Sequence, residues 1–93
     1  MNPKMFFPSN LRYLREQQRK SQEELAFALG ITRNKLQALE SGKTLNPTIA
    51  DLFRISEYFH LTIDQILRLD LRRIGLFKLR ELQGHPPVKV VFK

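Results

Sequence analysis

Between residues 9 and 67 apolar side chains return every three or four positions, the spacing of a helix face rather than the alternation of a strand. Start and stop signals cut this stretch into five short helices. The first is expected from Ser9 to about Gln18, with Leu11 and Leu14 on one face and Ser9 or Asn10 as its cap. The second opens on Ser21-Gln22-Glu23-Glu24, a capping box in which the Ser hydroxyl accepts from the amide three residues on while Glu24 reaches back. Leu25, Ala26 and Leu29 follow, and Gly30 ends the helix because it can turn left-handed without a Cβ clash. Thr32 caps a third helix running to about Glu40, with Leu36 and Leu39 inward, before Ser41-Gly42 stops it.

Asn46-Pro47-Thr48 reads as a loop and a restart. Thr48 with Asp51 resembles another capping box, and Ile49, Leu52, Ile55 and Phe59 are the expected buried stripe of the fourth helix. Thr62 with Gln65 repeats the device ahead of Ile63, Ile66 and Leu67, a short fifth helix. Boxes spaced one short helix apart, each followed by apolar periodicity, predict an all-α domain. No strand pattern competes before residue 84.

Helices two and three are joined by Gly30-Ile31-Thr32, a short glycine-containing turn of the kind that lets two helices cross steeply. At 100° per residue, inward Leu36 and Leu39 leave Asn34, Gln37, Ala38 and Ser41 outward, with Arg33 and Lys35 flanking that face. Arg, Asn and Gln are the side chains that bond base edges in the major groove: Arg to guanine, Asn or Gln to adenine. A solvated polar face would carry the same residues.

Ser21-Gln22-Glu23-Glu24-Leu25-Ala26, Leu29-Gly30-Ile31-Thr32-Arg33, Leu39-Glu40-Ser41-Gly42-Lys43 and Pro47-Thr48 together resemble the Cro/CI-type (XRE) helix-turn-helix repressors, in register over about residues 7 to 67. The resemblance implies a five-helix, lambda-repressor-like domain at 1–67 that binds double-stranded DNA as a transcriptional regulator, with repression expected ahead of activation. It implies that residues 32 to 38 enter the major groove, so that Thr32, Arg33, Asn34, Lys35 and Gln37 are the expected readers. Gln22 would touch phosphate and brace the reading helix. Ser41, Gly42, Lys43 and Thr44 would form a phosphate-binding loop, with Ser41 standing where many relatives carry Asn. Lys43 would contribute affinity without sequence information. Arg15 and Glu40 match a structural pair that ties the first helix to the end of the third.

Residues 68–93 form a basic, apolar C-terminal extension. Leu67, Leu71, Ile74 and Phe77 sit at i, i+4, i+7 and i+10, so a sixth helix could bury them on the domain or against a second copy, although Gly75 weakens it by about 1 kcal/mol. A homodimer would match two-fold related half-sites. The ending Val88-Lys89-Val90-Val91-Phe92-Lys93 alternates loosely like a strand that has no partner of its own. Stretch 69–84 also resembles the connector joining such domains to a LexA-like second domain, and an antitoxin of this fold would instead use 68–93 to hold a protein partner.

Composition narrows the alternatives. The chain has 93 residues, 42% hydrophobic and 27% charged, enough for one small folded domain and short for an enzyme with its own cleft. The absence of Cys excludes disulfides and thiolate metal sites. His60 and His85 stand 25 positions apart with no metal-ligand spacing, so no cofactor or metal is expected; His60 reads as a helix C-terminal cap. No apolar run reaches the roughly 18 residues of a membrane span, which suits a cytoplasmic protein. The net charge of +7 is uneven: seven bases face four acids over residues 9–47, acids prevail over 48–67, and seven bases face two acids beyond. One electropositive face suits a polyanion.

Overall fold

The computed structural model describes residues 6–43 and 47–84, which form six helices: α1 (Phe7–Gln17), α2 (Gln22–Leu29), α3 (Arg33–Ser41), α4 (Ile49–Phe59), α5 (Ile63–Arg68) and α6 (Leu71–Leu82). The all-α, lambda-repressor-like architecture expected from the sequence is the one observed. Thr44 and the strand-like 88–93 lie outside the described residues. No helix among those described is long and apolar enough to cross a membrane.

The capping signals act as their chemistry dictates. Ser21 Oγ accepts from Glu24 N while Glu24 Oε1 accepts from Ser21 N, and Thr62 with Gln65 closes the same reciprocal box. The Ser21 bonds hold the Glu24 carboxyl below its ordinary pKa. Thr48 Oγ1 accepts from Asp51 N at 3.0 Å, but no return bond closes a box there, because the Asp51 carboxylate is turned toward α3. His60 ends α4 in the left-handed conformation, with φ 56°.

Leu11, Leu14, Leu25, Leu36, Leu39, Ile55, Phe59 and Ile66 make a core shared by the first five helices, and Leu71 and Leu79 of α6 belong to it too. Full burial of each such side chain is worth roughly 1.5–3 kcal/mol before conformational entropy is set against it.

Three further expectations are corrected. First, α1 starts at Phe7, not Ser9: Pro8, whose fixed φ suits a first turn, lies inside it, and Asn10 is buried within the helix rather than capping it. Second, Ile49 is 77% exposed. It occupies the first position of α4, about 90° around the helix from the centre of the Leu52, Ile55 and Phe59 stripe. Third, Phe77 is 79% exposed, and Leu79 is buried instead.

The cause of the third lies at Gly75, where φ 88° and ψ 164° break α6. That backbone region is essentially closed to residues with a Cβ. In an unbroken helix Lys78, seven residues after Leu71, would fall on the buried face. The break resets the phase, so that Leu79 enters the core while Lys78 faces water, 3.6 Å from Glu81.

Candidate nucleic-acid interface

Helix α2 ends at Gly30, with φ 74°. A Cβ there would meet nothing within 4 Å, so the backbone angle rather than lack of space calls for glycine. Ile31 packs against the core from the turn, and Thr32 Oγ1 accepts from Lys35 N to begin α3 at once. With Leu36 and Leu39 fully buried, Thr32, Arg33, Asn34, Lys35, Gln37 and Ser41 are exposed and Ala38 is half-buried.

One charged cluster fixes this helix to the rest of the domain. Arg15 of α1 grips Glu40 of α3 in a two-pronged pair, Nε to Oε2 at 2.8 Å and NH2 to Oε1 at 3.1 Å, and its NH1 donates to the Lys20 carbonyl at 2.9 Å. Gln22 Nε2 donates to Glu40 Oε1 at 3.1 Å. The Glu40 side chain is 4% exposed, so three helices are tied through one nearly buried carboxylate. The hydrogen bonds that Arg15 donates to Glu40 raise the Arg15 pKa further, and the guanidinium stays charged.

A second tie fixes the other side of α3. Lys35 Nζ lies 3.0 Å from Asp51 Oδ1 of α4, and the Asp51 side chain is 2% exposed. The contact is ionic rather than a well-aligned hydrogen bond, since neither carboxylate oxygen has a hydrogen-bond partner. Burial pushes the Asp51 carboxyl up, but Lys35 and Thr48 outweigh it and leave the pKa below the ordinary value. The stability linked to ionised Asp51 is therefore present above the unfolded-state pKa of about 3.9 and lost as pH falls below it. Lys35→Ala is expected to destabilise the domain by about 1–2 kcal/mol at neutral pH, because it strands a buried carboxylate. Denaturant titrations should show the gap between parent and variant closing as pH falls through 4. A gap independent of pH would mean that the ion pair contributes nothing.

Two adjoining surface depressions place several expected site residues together. One is lined by Arg15, Ser21, Gln22, Glu23 and Arg33, the other by Arg12, Arg15, Gln22, Gln37, Glu40 and Ser41. Shared Arg15 and Gln22 make them one strip along the start of α2 and the outer face of α3. Asn34 and Lys35 lie off this strip, Lys35 held toward α4. Lys43 is exposed after the α3 C-cap. Arg12, one of the bases of the positive 9–47 stretch and by its charge a candidate peripheral phosphate ligand, joins the strip, as does Glu23, which no sequence signal marks. Among the described residues no group of three or more His, Cys, Asp or Glu side chains could hold a metal.

A turn of this geometry, with an exposed polar helix braced behind it, defines a helix-turn-helix domain. The helix-turn-helix family model matches residues 11–66, and the chain belongs to that family, in its XRE class. Among curated proteins, the uncharacterized HTH-type transcriptional regulator MJ0272 of Methanocaldococcus jannaschii is 34% identical over 58 residues, which cover 62% of this chain and 86% of the relative. No solved structure gives a significant match.

Proposed function

We propose that this protein is a sequence-specific, double-stranded DNA-binding transcriptional regulator, a repressor that places α3 in the major groove of a two-fold operator. The observation that carries the reading is the exposed row Arg33, Asn34 and Gln37 on a helix fixed from both sides, by Arg15–Glu40–Gln22 and by Lys35–Asp51. A reading helix has to be rigid, because each base contact depends on placement to a fraction of an ångström. Gln22 spends one amide hydrogen on Glu40 and keeps the other for a phosphate. Lys43 and the backbone amides after α3 supply further phosphate contacts. Exposed Phe77 and Leu76 on α6 support self-association through the extension.

Selection of binding sites from random duplex is the first experiment. Two half-sites one helical turn apart are expected for a dimer. On the selected site, Arg33→Ala or Asn34→Ala should lose roughly 1–3 kcal/mol and relax preference at one base pair, whereas Lys43→Ala should weaken all duplexes alike. Equal binding of the parent and both α3 variants would sink this division of labour.

A further inference from the structure

We propose that Arg72, in the extension beyond the matched domain, joins Arg12 of α1 in a clamp for the phosphate backbone flanking the operator. The inference rests on the DNA-binding reading above and extends its contact surface by one helix. Arg12 Nε lies 3.2 Å from Glu16 Oε2, and Arg72 NH2 lies 3.5 Å from Glu16 Oε1. Two guanidinium groups from different helices therefore share one carboxylate and stand side by side. Glu16 neutralises one of the two charges, leaving a surplus positive charge and most of the ten N–H donors unspent.

The placement of Arg72 is fixed by its neighbours. Its Cζ sits 5.0 Å from the ring centroid of Tyr13, a stacking platform only 7% exposed. The preceding residue, Leu71, donates its backbone N–H to Asn10 Oδ1 at 3.0 Å, so the start of α6 is bonded to the interior of α1. Stacking on one face leaves the guanidinium edge free for the paired oxygens of a phosphate. Arg12 also lines the strip with Arg15, Gln22 and Gln37, so the ridge Arg12–Glu16–Arg72 continues the proposed DNA face across α1. Because these residues sit on α1 and α6 rather than on α3, the partner is phosphate, not a base edge.

The test compares salt dependence of binding on two duplexes, one trimmed to the selected site and one with extended flanks. On the extended duplex Arg72→Gln should lower the slope of log K against log salt by about 0.9, which makes the parent's advantage shrink about threefold between 50 and 200 mM salt. On the trimmed duplex the two proteins should bind alike, and Arg72→Lys, which keeps the charge, should restore the slope. An unchanged slope for Arg72→Gln while the parent binds normally would overturn the clamp and leave the DNA-binding reading standing. Loss of slope in both variants would assign the effect to the seating of α6 and overturn it equally. Failure of the parent to bind any duplex would remove both proposals.

Discussion

Glu40→Ala is expected to lower the unfolding free energy by about 3–5 kcal/mol, the usual consequence of breaking a buried ion pair from one side. The residue accepts from Arg15 twice and from Gln22 once, and its side chain is 4% exposed. Its loss leaves a guanidinium that is 15% exposed with only the Lys20 carbonyl as partner. Small domains are stable by 5–15 kcal/mol in total, so this change removes a large fraction. Urea titration should show a lower midpoint with the slope unchanged. Replacing both partners, Arg15→Met with Glu40→Leu, should recover much of the loss, because the cost lies in the stranded charge more than in the missing attraction. If Glu40→Ala shifted stability by less than 1 kcal/mol, the pair would have to be solvated, and the bracing of α3 would need another source.

The second large effect is expected at Asn10. Its Nδ2 donates to the carbonyls of Ile66 and Leu69 at 2.7 and 2.6 Å, and its Oδ1 accepts from Leu71 N. One side chain thus satisfies three backbone groups where α5 gives way to α6, at 1% exposure. Asn10→Ala should cost about 2–4 kcal/mol, since orphaned buried polar groups are dearer than the average hydrogen bond is favourable. Asn10→Asp is almost the same size and should be worse at neutral pH, because a carboxylate oxygen would then face two carbonyl oxygens. Acidification should narrow the difference between the Asp and Ala variants, as a protonated carboxyl can donate again. Equal stability of the two at neutral pH would contradict the assigned donor and acceptor directions.

These residues also mark how far the sequence was legible. Ser21, Glu24, Gly30, Thr32, Thr48 and Thr62 act within a few positions of themselves, so local chemistry was enough to locate five helix starts or stops. Leu36 and Leu39 likewise fixed the outer face of α3 through simple periodicity. Asn10 looked like a cap because Asn often is one, whereas its partners lie 56 to 61 residues away and leave no local trace. Ile49 and Phe77 fit an apolar spacing yet face water, since periodicity says nothing of where a helix first meets its neighbours or where it breaks. In the proposed site, Arg15 and Glu40 were paired only by family resemblance. The ties of Lys35 to Asp51 and of Arg72 to Glu16 depend on how helices pack, which no spacing within one helix encodes.

The break in α6 shows how an effect can be displaced from its cause. A methyl group added at residue 75 would touch no neighbouring atom within 4 Å, yet it would favour carrying the helix straight through. Straightening would rotate the next turn and bring the ammonium of Lys78 toward an oily interior, while Leu79 swung out of it. The harm from so small an addition would therefore be felt three residues downstream, as the dehydration of a cation.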